Sequence, residues 1–201
     1  SSMVIGRDGL PVISYNDGSG LRVAKCGNTS CSSGNSTTTI HSSGASVYTS
    51  IAIGIDGFPV ISYHHSTDYN FYVAKCGNAS CSSGNSTTTI DSHGAVSTSN
   101  TSMAIGDDGL PIFSYYNGSS GDLKVAKCGN ISCSSGNTLT TVDSFGSVGA
   151  YSSIAIGIDG LPVISYYDGS NTNLNIAKCG NASCSSGNST TTIHSSGASV
   201  Y

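Results

Sequence analysis

The eight cysteines are the residues of this 201-residue chain best placed to do chemistry. They stand in four C-x4-C pairs: Cys26/Cys31, Cys76/Cys81, Cys128/Cys133 and Cys179/Cys184. Each pair brackets a G-N-x-S tip that can turn the chain back on itself, so one local disulfide per pair is the simplest account. Such a set implies an oxidising, extracellular compartment. Closing so short a loop contributes about 2 kcal/mol per bridge in the chain-entropy view. Zinc is the competing use of paired cysteines, but it needs regularly placed partner ligands. His41 and His194 follow their pairs at equal spacing, yet the equivalent positions are Asp91 and Asp143. Disulfides are expected; a metal site is not.

Asparagine is the second group with chemical potential. Asn28, Asn78, Asn130 and Asn181 lie inside the cysteine loops with Ser two residues on, Asn35, Asn85 and Asn188 follow in N-S-T form, and Asn100 and Asn117 are additional. These nine sequons make the chain a candidate N-glycoprotein, since loop-tip sites are exposed in most folds. The alternative is that a chain rich in Asn, Ser and Thr makes sequons by accident and duplication then multiplies them.

A catalytic set is harder to assemble. Asp8, Asp56, Asp108 and Asp159 each precede a glycine and read as turn residues rather than paired catalytic carboxylates. Asp17 and Asp168 have no D-x-D-x-D loop around them for calcium. His64-His65 replaces the tyrosine- or asparagine-containing pairs of the sister segments and reads as a surface substitution. No nucleophile, base and orienting group come together, so the chain is read as non-enzymatic and without cofactor. Tyr15, Tyr63, Tyr115 and Tyr166 are the best ligand-binding candidates, able to stack on sugar rings. Filling the seams between sheets is their alternative use. Lys25, Lys75, Lys127 and Lys178, each just before a first cysteine, are expected to blunt strand edges or stay solvated.

The elements that must position these residues follow from composition and repetition. Glu, Gln and Trp are absent, while Gly alone contributes 26 residues. Without the usual helix formers, and with abundant Ser, Thr, Val, Ile and Tyr, the chain favours strands and turns. A net charge of −4 with seven basic residues excludes a nucleic-acid surface, and no apolar run reaches membrane-spanning length. The segment IGIDGFPVISY (Ile53 to Tyr63) recurs in variant form from Ile5, Ile105 and Ile156. The motif AKCGNxSCSSGN starts at Ala24, Ala74, Ala126 and Ala177, at spacings of 50, 52 and 51 residues. The repeats are 1–48, 49–98, 99–150 and 151–201.

Each repeat carries four strand-like pieces, which in the second copy are Ser50 to Gly54, Phe58 to His64, Phe71 to Cys76 and Ser86 to Ile90. Asp56-Gly57 is a type I′ hairpin signal, and Pro59 sits where a missing N–H does least harm. One such sheet exposes too much apolar face to stand alone, so stacking of copies is required. The expected fold is all-β and propeller-like, with four antiparallel four-stranded blades of about 50 residues.

The whole chain resembles bacterial-type β-propeller repeats built on a DG-x-P-V-I-S-Y-Y-D hairpin followed by an L-x-V-A-x-C strand. The match runs through Asp159, Gly160, Pro162 to Asp168, and then Leu174 to Cys179. It is loosely similar to sialidase-type Asp-box propellers, although the box and its Trp are missing. The resemblance implies fold, not function. The chain starts and stops at one phase of the repeat, as expected of a four-unit ring or a four-unit window of a longer array.

The expected function is a non-catalytic, extracellular or cell-surface structural or adhesive repeat glycoprotein, self-associating as an array or filament. A multivalent carbohydrate-binding propeller that takes glycans is the alternative, and a degenerate glycosidase-like propeller the third.

Overall fold

The computed structural model describes residues 1–42, 44, 46–92 and 101–195. The protein is all-β, built from four antiparallel four-stranded sheets with strands in chain order. Sheet one contains β1 (Ser2–Ile5), β2 (Pro11–Asn16), β3 (Leu21–Lys25) and β4 (Ser36–His41). Sheet two contains β5 (Ser46–Ile53), β6 (Pro59–His65), β7 (Phe71–Lys75) and β8 (Ser86–Asp91). Sheet three contains β9 (Ser102–Ile105), β10 (Pro111–Asn117), β11 (Asp122–Lys127) and β12 (Thr138–Asp143). Sheet four contains β13 (Val148–Ile156), β14 (Pro162–Asp168), β15 (Asn173–Lys178) and β16 (Ser189–His194). β5 and β13 begin a few residues before the repeat boundaries at 49 and 151.

The first turn of each sheet differs from the expected type I′ hairpin. Asp8, Asp56, Asp108 and Asp159 keep negative φ, and only the following glycine is left-handed, at 76–87°. Gly9 N–H donates to the Gly6 carbonyl and Gly6 N–H to the Leu10 carbonyl, both at 2.9 Å. This is a type I turn closed by a left-handed glycine, the three-residue hairpin solution. Asp occupies it because its Oδ1 accepts the N–H two residues on, as Asp8 does from Leu10 at 3.1 Å.

Period-two alternation gives every sheet two apolar faces, and stacking buries them. Val12, Leu21 and Val23 of sheet one pack on Ile51, Ile61, Tyr63 and Ala74 of sheet two. Val60, Phe71 and Val73 pack on Phe113, Tyr115 and Ala126. Ile112, Leu123 and Val125 pack on Ile154, Ile164, Tyr166 and Ala177. The first strands β1, β5, β9 and β13 touch in succession. A register shift at the start of each third strand leaves Ile40, Ile90, Val142 and Ile193 unpaired in the fourth strand. The first three of these residues join the seam to the following sheet. Extensive packing runs only between consecutive sheets among the described residues, and the stack does not close.

Candidate functional site

The cysteine loop repeats almost unchanged in all four sheets. Each third strand is followed at once by a buried cysteine, joined to its partner five residues on: Cys26–Cys31, Cys76–Cys81, Cys128–Cys133 and Cys179–Cys184. Their Cα atoms lie 4.7–4.8 Å apart, within normal disulfide reach. The second cysteine of each pair is left-handed, with φ of 54–55°. Asparagine holds that turn. Asn28 Nδ2 donates to Ser32 Oγ and Ser33 Oγ, both at 3.0 Å, and its Oδ1 accepts Ser32 N–H. Asn35 closes the loop from the other side, accepting Gly27 N–H and donating to the Cys31 carbonyl. The loop is a staple whose residues are already engaged with one another.

This geometry supplies a structural reason for the dense sequons. Asn28, Asn78, Asn130 and Asn181 are part-exposed hubs of the loop, and a sugar on Nδ2 would replace one of their donated bonds. Asn35 and Asn85 are exposed and Asn188 is half-buried, each donating once to a cysteine carbonyl. Asn117 differs from the expected accessible acceptor. It is 2 % exposed, and its Oδ1 accepts the N–H groups of Ser119 and Ser120. Asn100 lies outside the described residues.

The four lysines are not solvated edge charges. Lys25, Lys75 and Lys127 are buried and Lys178 half-buried, and each ammonium reaches the turn aspartate of its own sheet at 2.8 Å. The bond to lysine holds the Asp8 and Asp159 carboxyls below the usual range. Partial burial pulls Asp56 and Asp108 upward, but the lysine and backbone bonds outweigh it and the net shift is down. Strand three is thereby tied to the first hairpin.

The candidate tyrosines lie at the seams. Tyr63, Tyr115 and Tyr166 are fully buried, and each hydroxyl meets the last residue of the preceding sheet. Tyr63 Oη lies 2.9 Å from His41 Nδ1; Tyr115 donates to Asp91 Oδ2 at 2.8 Å, and Tyr166 to Asp143 Oδ2 at 2.6 Å. Burial raises all three phenol pKa values, so they stay neutral donors. Tyr15, in the first of the four sheets described, is half-buried. The residues at positions 41, 91, 143 and 194 share one spacing behind the second cysteine. That spacing carries the seam's polar partner, which zinc-ligand reasoning overlooked.

His64 and His65 are buried rather than superficial, 1 % and 5 % exposed. His64 packs against Phe71, and burial lowers its pKa to about 4. His65 stacks on His41 with ring centroids 4.7 Å apart, and its Nδ1 lies 3.0 Å from Asp68. Asp17 pairs with Arg22, and Asp168 accepts N–H groups from Ser170 and Asn171.

One cleft of about 650 Å³ is lined by the first strands of all four sheets. Its walls carry hydroxyls and no charged side chain, including Ser1, Ser2, Thr49, Ser102 and Ser153, with Tyr48, Tyr151 and Asn16. Tyr48 and Tyr151 are exposed and left-handed, at φ 56° and 54°. Neither tyrosine was among the ligand candidates, because neither lies in the repeated hairpin motif.

No protein-family model and no curated protein matches this chain. Its four disulfides point to an oxidising environment.

Proposed function

We propose that the chain is a non-catalytic, extracellular structural repeat protein whose four sheets act as propeller-like blades. The observation that carries this reading is the repetition of one seam three times. Apolar faces, a tyrosine hydroxyl and a hydroxyl pair recur at each junction, and the polar groups already bond to one another. In such a chain the repeated chemistry serves the architecture. First strands that share a central cleft support the blade arrangement, as does the likeness to propeller repeats. A cell-surface location and glycans on the exposed sequons complete the proposal.

Intact mass of the secreted protein, with alkylation before reduction, tests this reading. Eight oxidised cysteines are expected; eight free thiols would overturn the extracellular assignment. Mass loss on enzymatic deglycosylation is expected at the exposed sequons, Asn35 and Asn85 first.

The cleft favours one second reading, carbohydrate binding. Uncharged hydroxyls with two exposed tyrosine rings suit a neutral sugar, by stacking and hydrogen bonding. On that reading, glycan binding disappears in Tyr48→Ala and Tyr151→Ala and survives in Tyr63→Phe. Absence of binding on a broad glycan array sinks it.

A further inference from the structure

Each cysteine loop carries two asparagines whose amide groups are used differently. Asn28 spends both amide hydrogens inside the loop, on Ser32 Oγ and Ser33 Oγ at 3.0 Å. Asn78, Asn130 and Asn181 donate to the equivalent serine pairs at 2.9–3.1 Å. The serine hydroxyl of the sequon is engaged as well, since Ser30 Oγ donates to Asn28 Oδ1 at 3.1 Å. Cys31, held at φ 55°, completes the closure by donating its N–H to the Asn28 carbonyl at 3.1 Å. Asn35 is placed otherwise. It gives one amide hydrogen to the Cys31 carbonyl at 2.7 Å, and the other meets no acceptor among the described residues. Asn85 and Asn188 repeat this arrangement, each with a single donated bond of 2.6 Å. Ser36 and Thr37, which complete the Asn35 sequon, are exposed.

We propose that closure of the disulfide selects which asparagines of this chain accept a sugar. Asn35, Asn85 and Asn188 are acceptors in the closed loop, whereas Asn28, Asn78, Asn130 and Asn181 are acceptors only while their cysteines are reduced. The proposal rests on the glycoprotein reading above and adds its regulation. In the transfer, asparagine Nδ2 attacks the anomeric carbon of a glycosyl phosphate donor. The N–C bond forms, the C–O bond to phosphate breaks with its electron pair leaving on the phosphate, and one Nδ2 proton passes to a base of the transferase. One amide hydrogen is therefore lost. Asn35 has one to lose and keeps the one that holds the Cys31 carbonyl, but Asn28 must first give up a serine. Its loop has to open, and the bridge keeps it shut. Neutral hydrogen bonds contribute too little net free energy to hold the ordered backbone alone. The covalent link supplies the missing constraint by removing open conformations.

Closure competes with transfer because it needs no other part of the chain: the paired cysteines are only 5 residues apart. In closing, two thiols give two electrons and two protons to a disulfide oxidant of the compartment. The third repeat offers a comparison within the chain. Asn137 accepts the Gly129 N–H at 3.1 Å and donates to the Cys133 carbonyl at 2.6 Å, as Asn35 does in its own loop. Leu139 stands where a sequon needs Ser or Thr, so this asparagine closes its loop without being a site. The Leu139 side chain is 46 % exposed, and threonine there restores the sequon without disturbing a core. With the same bonds as Asn35, Asn137 then becomes an acceptor.

Site-resolved occupancy tests this on the full chain passed through the secretory pathway of a eukaryotic cell line. Enzymatic deglycosylation in heavy-oxygen water turns each used asparagine into a labelled aspartate, which peptide mapping locates. In the wild type the label falls on Asn35, Asn85 and Asn188 and is absent from the first asparagine of every loop. The double variant Cys128→Ser, Cys133→Ser moves label onto Asn130 and leaves Asn28, Asn78 and Asn181 unlabelled. Retained and secreted chains are both mapped, so a variant that fails to leave the cell still reports. Leu139→Thr keeps all bridges and gains one glycan, at Asn137. Label on Asn28, Asn78, Asn130 and Asn181 in a fully oxidised wild-type chain overturns the proposal. So does an Asn130 that stays unlabelled without its bridge, or a Leu139→Thr chain with no new glycan. Any of these results, with Asn35 labelled, defeats the gate and leaves the glycoprotein reading intact. A chain unlabelled at every asparagine, in wild type and variants alike, removes both.

Discussion

Gly77 sits where a side chain has no room, since a Cβ there would lie 2.5 Å from the Gly84 carbonyl oxygen. Gly77→Ala is expected to destabilise the protein by about 1–3 kcal/mol through forced displacement of the loop, measured by urea unfolding. Tyr115 makes a second point at this scale. Its hydroxyl donates to the buried Asp91 carboxylate, so Tyr115→Phe leaves an acceptor short of a partner and costs about 1–3 kcal/mol. A cost below a few tenths would show that Lys124, 3.5 Å from the same carboxylate, compensates. His64 carries a pH dependence. Burial lowers its pKa from 6.5 to about 4, so the native state binds its proton less tightly than the unfolded chain does. The stability His64 contributes is fully present above about pH 6.5 and is lost as pH falls toward 4. The loss amounts to about 3 kcal/mol. Urea midpoints recorded between pH 7 and 4 should fall more steeply for the wild type than for His64→Phe.

The hairpin lock links elements. Lysine at the end of each third strand reaches back to the aspartate of the first turn, so one ion pair spans three strands. Lys75 is almost wholly enclosed, whereas the Lys178 side chain is about one-third exposed. Lys75→Met should therefore cost more than Lys178→Met, about 1–2 kcal/mol against less than 1. Equal losses in thermal unfolding would mean that burial does not set the strength of the lock. The pairing was not visible in the sequence because Asp56 and Lys75 are separated by two strand lengths. Read singly, each had an adequate local explanation. The register shift in each third strand was equally hidden. Period-two reading cannot anticipate an unpaired residue, and here that residue supplies an apolar contact to the next sheet.

At the scale of the whole molecule, stability is shared between neighbouring sheets, as in repeat proteins generally. Sheets two and three are covered on both faces, while sheets one and four are each covered on one. Native-state hydrogen exchange is expected to find β6 and β10 the most protected strands, with β1 and β16 the least. Uniform protection in dilute solution would contradict a stack open at both ends.

The four-strand unit, its copy number and its local staple were all legible in the residues. Strand boundaries in the second repeat agree within about a residue at all but the start of β5. These features depend on contacts close in sequence: period-two alternation, turn chemistry and a cysteine pair five residues apart. What each repeated side chain does was decided only in three dimensions. Tyr63, Tyr115 and Tyr166 are candidates for a ligand or for a seam until the preceding sheet is seen supplying His41, Asp91 and Asp143. Lys25 and its counterparts look solvated until the hairpin folds over them. Tyr48 and Tyr151 reach a common cleft only because sheets two and four present their first strands to it. The chain determined its elements through short-range chemistry, and stacking determined which faces are covered, because burial depends on the sheet next door.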